Sequence, residues 1–171
     1  RDGLNDFQAW DTAYYSEYLK QQTFSFSSEE LRSYFEINSV LDGMFAIANK
    51  LFGIELVPSQ NCDTYQGDVK HFDVIENGER IASCILDLYA RENKRGGAWM
   101  GDARDRGYLN GSEQLPVAFI VCNFTPPQKG QALLLHNEVT TLFHEFGHSL
   151  HHMLTNVDIA AVSGINGVEW D

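Results

Sequence analysis

The sequence predicts an α+β domain, mainly helical. Three observations point to it. Apolar residues recur at helical spacing through residues 1–53. The pattern then changes to short apolar runs bounded by turn residues, over about 66–124. A helical pattern returns in 132–171. Helices, a small sheet and a long final helix in that order are an α+β layout. The chain has 171 residues, 43% hydrophobic and 12% aromatic, enough to bury one core, so residues 1–171 read as a single domain.

Each element has its own signal. Asp6 to Gln22 carries Phe7, Trp10, Tyr14, Tyr15 and Tyr18 and reads as an amphipathic helix. Ser27 with Glu30 three positions on is a capping-box pattern, so a second helix starts there. In "SVLDGMFAIANKLFG", Val40, Leu41, Met44, Phe45, Ala48, Leu51 and Phe52 follow helical spacing, and Gly53 suits the stop. "VKHFDVI" and "IASCILDLYA" form a hairpin around Asn77-Gly78. "KRGGAWMG" reads as a further short strand. "PVAFIVCNF" is a strong one, and its continuous apolar run suits a buried strand or one lining a cleft. After the loop "TPPQKG", the segment "ALLLHNEVTTLFHEFGHSLHHML" is helical.

The formal net charge of −12 disfavours nucleic acid and anionic membrane as partners, since both would be repelled. No secretory-signal pattern is visible, nor an apolar run long enough to cross a bilayer. Cys62, Cys84 and Cys122 are odd in number and widely spaced. They suit reduced thiols in a cytoplasmic protein better than a disulfide framework or a metal knuckle. The sequence has no initial methionine and closes on "GVEWD" without tail-like composition, which predicts a piece of a longer protein.

The chemistry concentrates in "TLFHEFGHSL". Residues four apart on a helix share a face, so His144 and His148 point the same way and can reach one ion at about 2.0–2.1 Å each. Glu145 is offset by one position, beside the ion rather than on it. From there it can take a proton from water and pass it to a leaving amine. This H-E-x-x-H pattern is that of zinc peptidases, in which the ion brings the pKa of water toward ~7. Val139, Leu142, Phe143, Phe146, Leu150 and Met153 supply an apolar back, and Gly147 leaves space between the ligands. His151 and His152 read as surface or packing residues, because His144 to His152 spans ~12 Å of helix, too far for one ion. The third ligand must come from a later segment. Glu169, 21 positions after His148, matches the spacing of thermolysin-like zinc peptidases.

Six blocks make the sequence recognisable: "WDTAYYSEYL", "LRSYFEINSVLDGMFAIANKLFGI", "LDLYARENKRGGAWM", "PVAFIVCNFTPP", "HNEVTTLFHEFGHSLHHMLT" and "VSGINGVEWD". In this order they resemble the thimet oligopeptidase and oligopeptidase A family of zinc metallopeptidases, and within it the bacterial oligopeptidase A-like members. The resemblance implies a zincin-like catalytic domain, truncated here at both ends, from a cytoplasmic enzyme that cleaves short peptides. It implies zinc on His144 and His148, with Glu145 as the catalytic glutamate. It places the third ligand, a glutamate, three residues beyond Asp171, so that Glu169 is not the ligand. The oxyanion-stabilising residues would also lie further on. The isolated piece would then bind zinc weakly and be inactive without the remainder of the parent chain. Two rivals stay open: a complete thermolysin-type site using Glu169, and a non-catalytic helical interaction module.

Secondary candidates have two readings each. Glu138 or Asp171 could orient a ligating histidine; for Glu138 the alternative is a carboxylate favoured by a helix N-terminus. "PVAFIVCNF" could offer a backbone edge to an extended peptide or be a core strand. "GGAWMG" allows close approach of substrate or makes a tight turn. "ARENKRGG" reads as solvated basic surface, and His71 and the cysteines as structural.

Overall fold

Five strands form a mixed sheet at the centre of the computed structural model, which describes residues 7–25, 27–60, 64–128 and 130–169. They are β1 (Ile54–Pro58), β2 (Lys70–Glu76), β3 (Glu79–Tyr89), β4 (Trp99–Arg104) and, after a separate two-stranded ribbon of β5 (Gly107–Leu109) and β6 (Ser112–Gln114), β7 (Val117–Phe124). Their spatial order is β1-β2-β3-β7-β4. Strands β3 and β7 run parallel, and the other neighbours antiparallel. The sheet is larger than the sequence suggests, since β1 begins at Ile54, directly after a helix. Asn77 (φ 51°) and Gly78 (φ 83°) make the expected hairpin turn, with both central residues left-handed as a type I′ turn requires. Asn110 and Gly111 repeat the device between β5 and β6.

Side-chain alternation decides which face is the core. Ala82, Cys84, Leu86 and Leu88 of β3, with Ala118, Ile120, Cys122 and Phe124 of β7, join one apolar cluster. Helices α3 (Ile37–Phe52) and α4 (His136–Met153) cover it. Helix α3 buries Ile37, Val40, Leu41, Met44 and Ala48. Leu51 and Phe52, placed at core spacing by the sequence, are exposed in its last turn. Gly53 ends α3 in the left-handed conformation. The Phe45 ring joins the layers, with its centroid 5.0 Å from that of Phe72 and 6.1 Å from that of Phe146.

The N-terminal helices sit apart from this core. Helix α1 (Asp11–Phe24) starts later than the sequence suggests and buries none of its residues. Its Trp10–Tyr14–Tyr18 stripe faces outward, and half-buried Tyr15 meets the Phe7 ring with centroids 6.0 Å apart. The Ser27–Glu30 capping box is present, but the helix it starts, α2 (Ser28–Leu31), lasts one turn before a 3-10 turn over Arg32–Tyr34. No described helix is long and apolar enough to cross a membrane.

Candidate active site

Helix α4 is anchored by its first turn and its apolar back. Glu138 accepts the Leu135 N–H at 2.7 Å. Its carboxylate thus caps a helix N-terminus, where the dipole favours it, and is engaged there rather than with a histidine. Leu142, Phe146 and Met153 are buried, and Val139 and Leu150 partly so, against β7, β4 and β3. Phe143 does not belong to this back. It is 36% exposed, because it shares the outer face with Gly147 one turn on.

On the polar front the two imidazoles converge. Their Nε2 atoms are 3.1 Å apart, and the rings stand edge to face with centroids 4.7 Å apart. Two nitrogens bound tetrahedrally to zinc at ~2.0–2.1 Å lie about 3.3 Å apart. The donor pair therefore fits a zinc ion. Among the described residues, no third His, Cys, Asp or Glu completes a group that could hold a metal. Glu145 is only 7% exposed. The Ser149 hydroxyl donates to its backbone carbonyl at 2.9 Å, which ties this turn.

A cleft of about 550 Å³ opens above α4. Glu145 and His148 line it, together with Ala98, Trp99, Met100 and Asp102 and the segment 165–169. Glu169 lies in this wall and is exposed. Strand β7 is not an edge, since β3 and β4 flank it. The edge at the cleft is β4, so the backbone-edge reading passes from "PVAFIVCNF" to "AWMGDAR". Both readings of "GGAWMG" apply in part: Gly97 turns at φ 99°, and Ala98 to Met100 line the cleft.

Two clusters hold the cleft walls, and neither was read from the sequence. The first is Asp87, 4% exposed. Its carboxylate accepts from Arg91 Nη1 and Nη2 (2.6 and 2.8 Å), Lys94 Nζ (2.8 Å) and Tyr65 Oη (2.7 Å). Burial alone would raise its pKa, but these donors outweigh burial and hold the carboxyl well below the usual range. Burial and the bond to Asp87 push the Tyr65 phenol up to about 12. Lys94 also donates to the carbonyls of Asp87 and Tyr89. The Lys94 side chain is therefore not solvated, while Arg91, Glu92, Asn93 and Arg95 are exposed, as the reading of "ARENKRGG" has it. A D-x-x-x-R-x-x-K spacing was the available signal.

The second cluster surrounds His152, which is fully buried, whereas His151 is exposed. His152 Nε2 is 2.9 Å from the carbonyl of Arg104, the last residue of β4. A carbonyl only accepts, so Nε2 carries the proton. Gly164 (φ +59°) packs on this histidine so closely that a Cβ would stand 2.8 Å from its Cα and 2.9 Å from Nδ1. Two residues on, Asn166 Nδ2 donates to Asp105 Oδ1 at 2.8 Å and to the Ala160 carbonyl at 2.6 Å.

Cys84 and Cys122 are buried free thiols, each pushed up to about 12 by burial, which disfavours the thiolate form. Half-buried His71 sits in β2, its pKa lowered by burial. Cys62 and Asp171 lie outside the described residues.

The family model for peptidase family M3 matches residues 1–171. Oligopeptidase A of Escherichia coli is 50% identical over 172 residues, which cover 99% of this chain and 25% of that protein. Oligopeptidase A of Haemophilus influenzae is 49% identical with the same coverage. Dipeptidyl carboxypeptidase of Escherichia coli is 41% identical over 93% of this chain and 24% of that protein. The chain thus spans about a quarter of the length of these relatives. By the match along its whole length, the chain belongs to peptidase family M3 and is oligopeptidase A-like within it.

Proposed function

We propose that this chain carries the histidine–glutamate part of a zincin-like, zinc-dependent oligopeptidase site that hydrolyses short peptides. The observation that carries the reading is the pair of Nε2 atoms 3.1 Å apart, beside buried Glu145 in a cleft flanked by an edge strand. His144 and His148 would hold zinc, with a third ligand from the segment of the longer protein that follows Asp171. Bound there, zinc supplies Lewis acidity to a peptide carbonyl and makes water more acidic. Glu145 takes a proton from the attacking water as its oxygen bonds to the carbonyl carbon. It returns that proton to the amide nitrogen as the C–N bond breaks. Strand β4 pairs only with β7 in the described sheet, so its outer edge can receive an extended peptide as an added strand. The acidic chain suits neither nucleic acid nor anionic membrane, and its buried free thiols suit the cytoplasm.

The test uses the longer protein and a quenched peptide amidated at its C-terminus. Glu145→Gln is expected to lower turnover by ~10²–10⁴ while zinc content holds; undiminished turnover would remove Glu145 from the mechanism. Cleavage only of peptides with a free carboxyl end would favour dipeptidyl release over internal cutting. The 171-residue chain alone is expected to bind zinc weakly and cut nothing. Tight, stoichiometric zinc with cleavage would instead favour Glu169 as third ligand. Indifference of the longer protein to a chelator would favour an interaction module.

A further inference from the structure

We infer that Asn166 and His152 are positioning residues that set the width of the cleft by joining its outer wall, residues 165–169, to the end of the edge strand and to the histidine helix. This rests on the oligopeptidase reading only for its kinetic consequence. In the wall, Ile165 and Asn166 are half-buried, and Gly167, Val168 and Glu169 exposed. Asn166 Nδ2 reaches Asp105, the residue after β4, at 2.8 Å, and the Ala160 carbonyl at 2.6 Å. Gly164 seats on His152, where no side chain fits. His152 in turn holds the Arg104 carbonyl. Strand end, helix and wall thus meet at one junction, and β4 lines the same cleft as the wall. A displacement at this junction changes the gap between β4 and the wall in the cleft that Glu145 and His148 also line.

The charge pattern makes Asn166 the discriminating position. Asn166→Asp replaces the donor with a carboxylate facing the Asp105 carboxylate, so both contacts are lost and the wall is pushed outward. The experiment uses the longer protein with hydrogen exchange and peptide kinetics. The amides of Asn166 and Val168, bonded to the Ser163 and Ile165 carbonyls, report the wall without any catalysis. In Asn166→Asp they are expected to exchange about tenfold faster, with α4 unchanged, and KM to rise about tenfold with kcat within about threefold. Adding Asp105→Asn lets residue 105 donate to residue 166, and is expected to return KM to within about threefold of wild type. Wild-type exchange and KM in Asn166→Asp would overturn the proposal, as would equal losses of kcat and global stability with no recovery in the double variant. If Asn166→Asp does not fold, Asp105→Ala removes the same contact from the strand side and is judged by the same two readings. A wild-type protein that cuts no peptide would defeat the oligopeptidase reading, while the exchange measurement would still decide the positioning role.

Discussion

Asp87 offers the most demanding test of how the cleft is held. Its carboxylate receives four donors, and Lys94, 5% exposed, has all three of its ammonium hydrogens committed within this cluster. In Asp87→Asn one of the two oxygens becomes an NH₂ group, which confronts donors it cannot accept from. The positive charge of Lys94 stays buried without its counter-ion. Breaking a buried pair by neutralising one partner costs ~3–5 kcal/mol. Arg91 is 34% exposed and can turn to water, so the lower end applies, about 3 kcal/mol. For a unit of this size that is about 6–12 °C in the midpoint of the transition that includes it.

The pH dependence has a definite sign. The folded pKa of Asp87 lies below its unfolded value of ~3.9, so the ionised carboxylate contributes its full stability above about pH 5. That contribution fades as pH falls through the lower folded value. Asparagine does not titrate. The gap between wild type and Asp87→Asn should therefore be flat from about pH 5 to 8 and narrow below about pH 4. Calorimetry across pH on the longer protein reads both quantities. Asp87→Leu with Lys94→Met, which removes the buried pair in favour of apolar packing, should recover most of the loss. A gap under about 1 kcal/mol at pH 7, or one unchanged at pH 3, would refute the argument.

Two further outcomes follow from packing and burial. Gly164→Ala combines a left-handed residue with a Cβ 2.8 Å from the His152 backbone, and is expected to cost ~2–4 kcal/mol in denaturant titration. Cys84 and Cys122 should resist an alkylating reagent at pH 8 until the protein unfolds, since burial holds both thiols up at about 12; mass spectrometry of the native protein detects any modification.

What the sequence discloses here is what short range controls. Residues 144, 145 and 148 lie within two turns of one helix, so the shared face of His144 and His148, with Glu145 beside it, follows from helical geometry alone. The Asn77-Gly78 turn is equally local, and the same dipeptide at 110–111 was available but unused. The cleft is a different matter. Asn166 meets Asp105 across 61 residues, His152 meets Arg104 across 48, and Tyr65 meets Asp87 across 22. No periodicity carries such pairings. An apolar run marks β7 as buried, in agreement with the core-strand reading of "PVAFIVCNF", but that β3 and β4 are its neighbours, and β4 the edge, is a matter of topology. Lys94 departs from its exposed neighbours because its counter-ion sits in a strand whose apolar neighbours, Leu86 and Leu88, conceal it.

The two clusters stand at opposite ends of β4. Lys94, held by Asp87, fixes the loop that enters the strand, and Asn123 adds to it by donating to the carbonyls of Arg95 and Gly97. His152 and the Asp105–Asn166 pair fix the exit. An unpaired edge is ordinarily a liability, since any extended chain can pair with it. Here the edge is short, pinned at both ends, and turned toward a cleft with Glu145 and His148 in its lining. On the proposed reading that confinement is useful. A peptide that pairs with β4 is brought beside the carboxylate that must move its proton, and the cost of ordering the strand was met during folding. On that reading the cleft would favour flexible peptides, because an extended segment is what an edge strand pairs with.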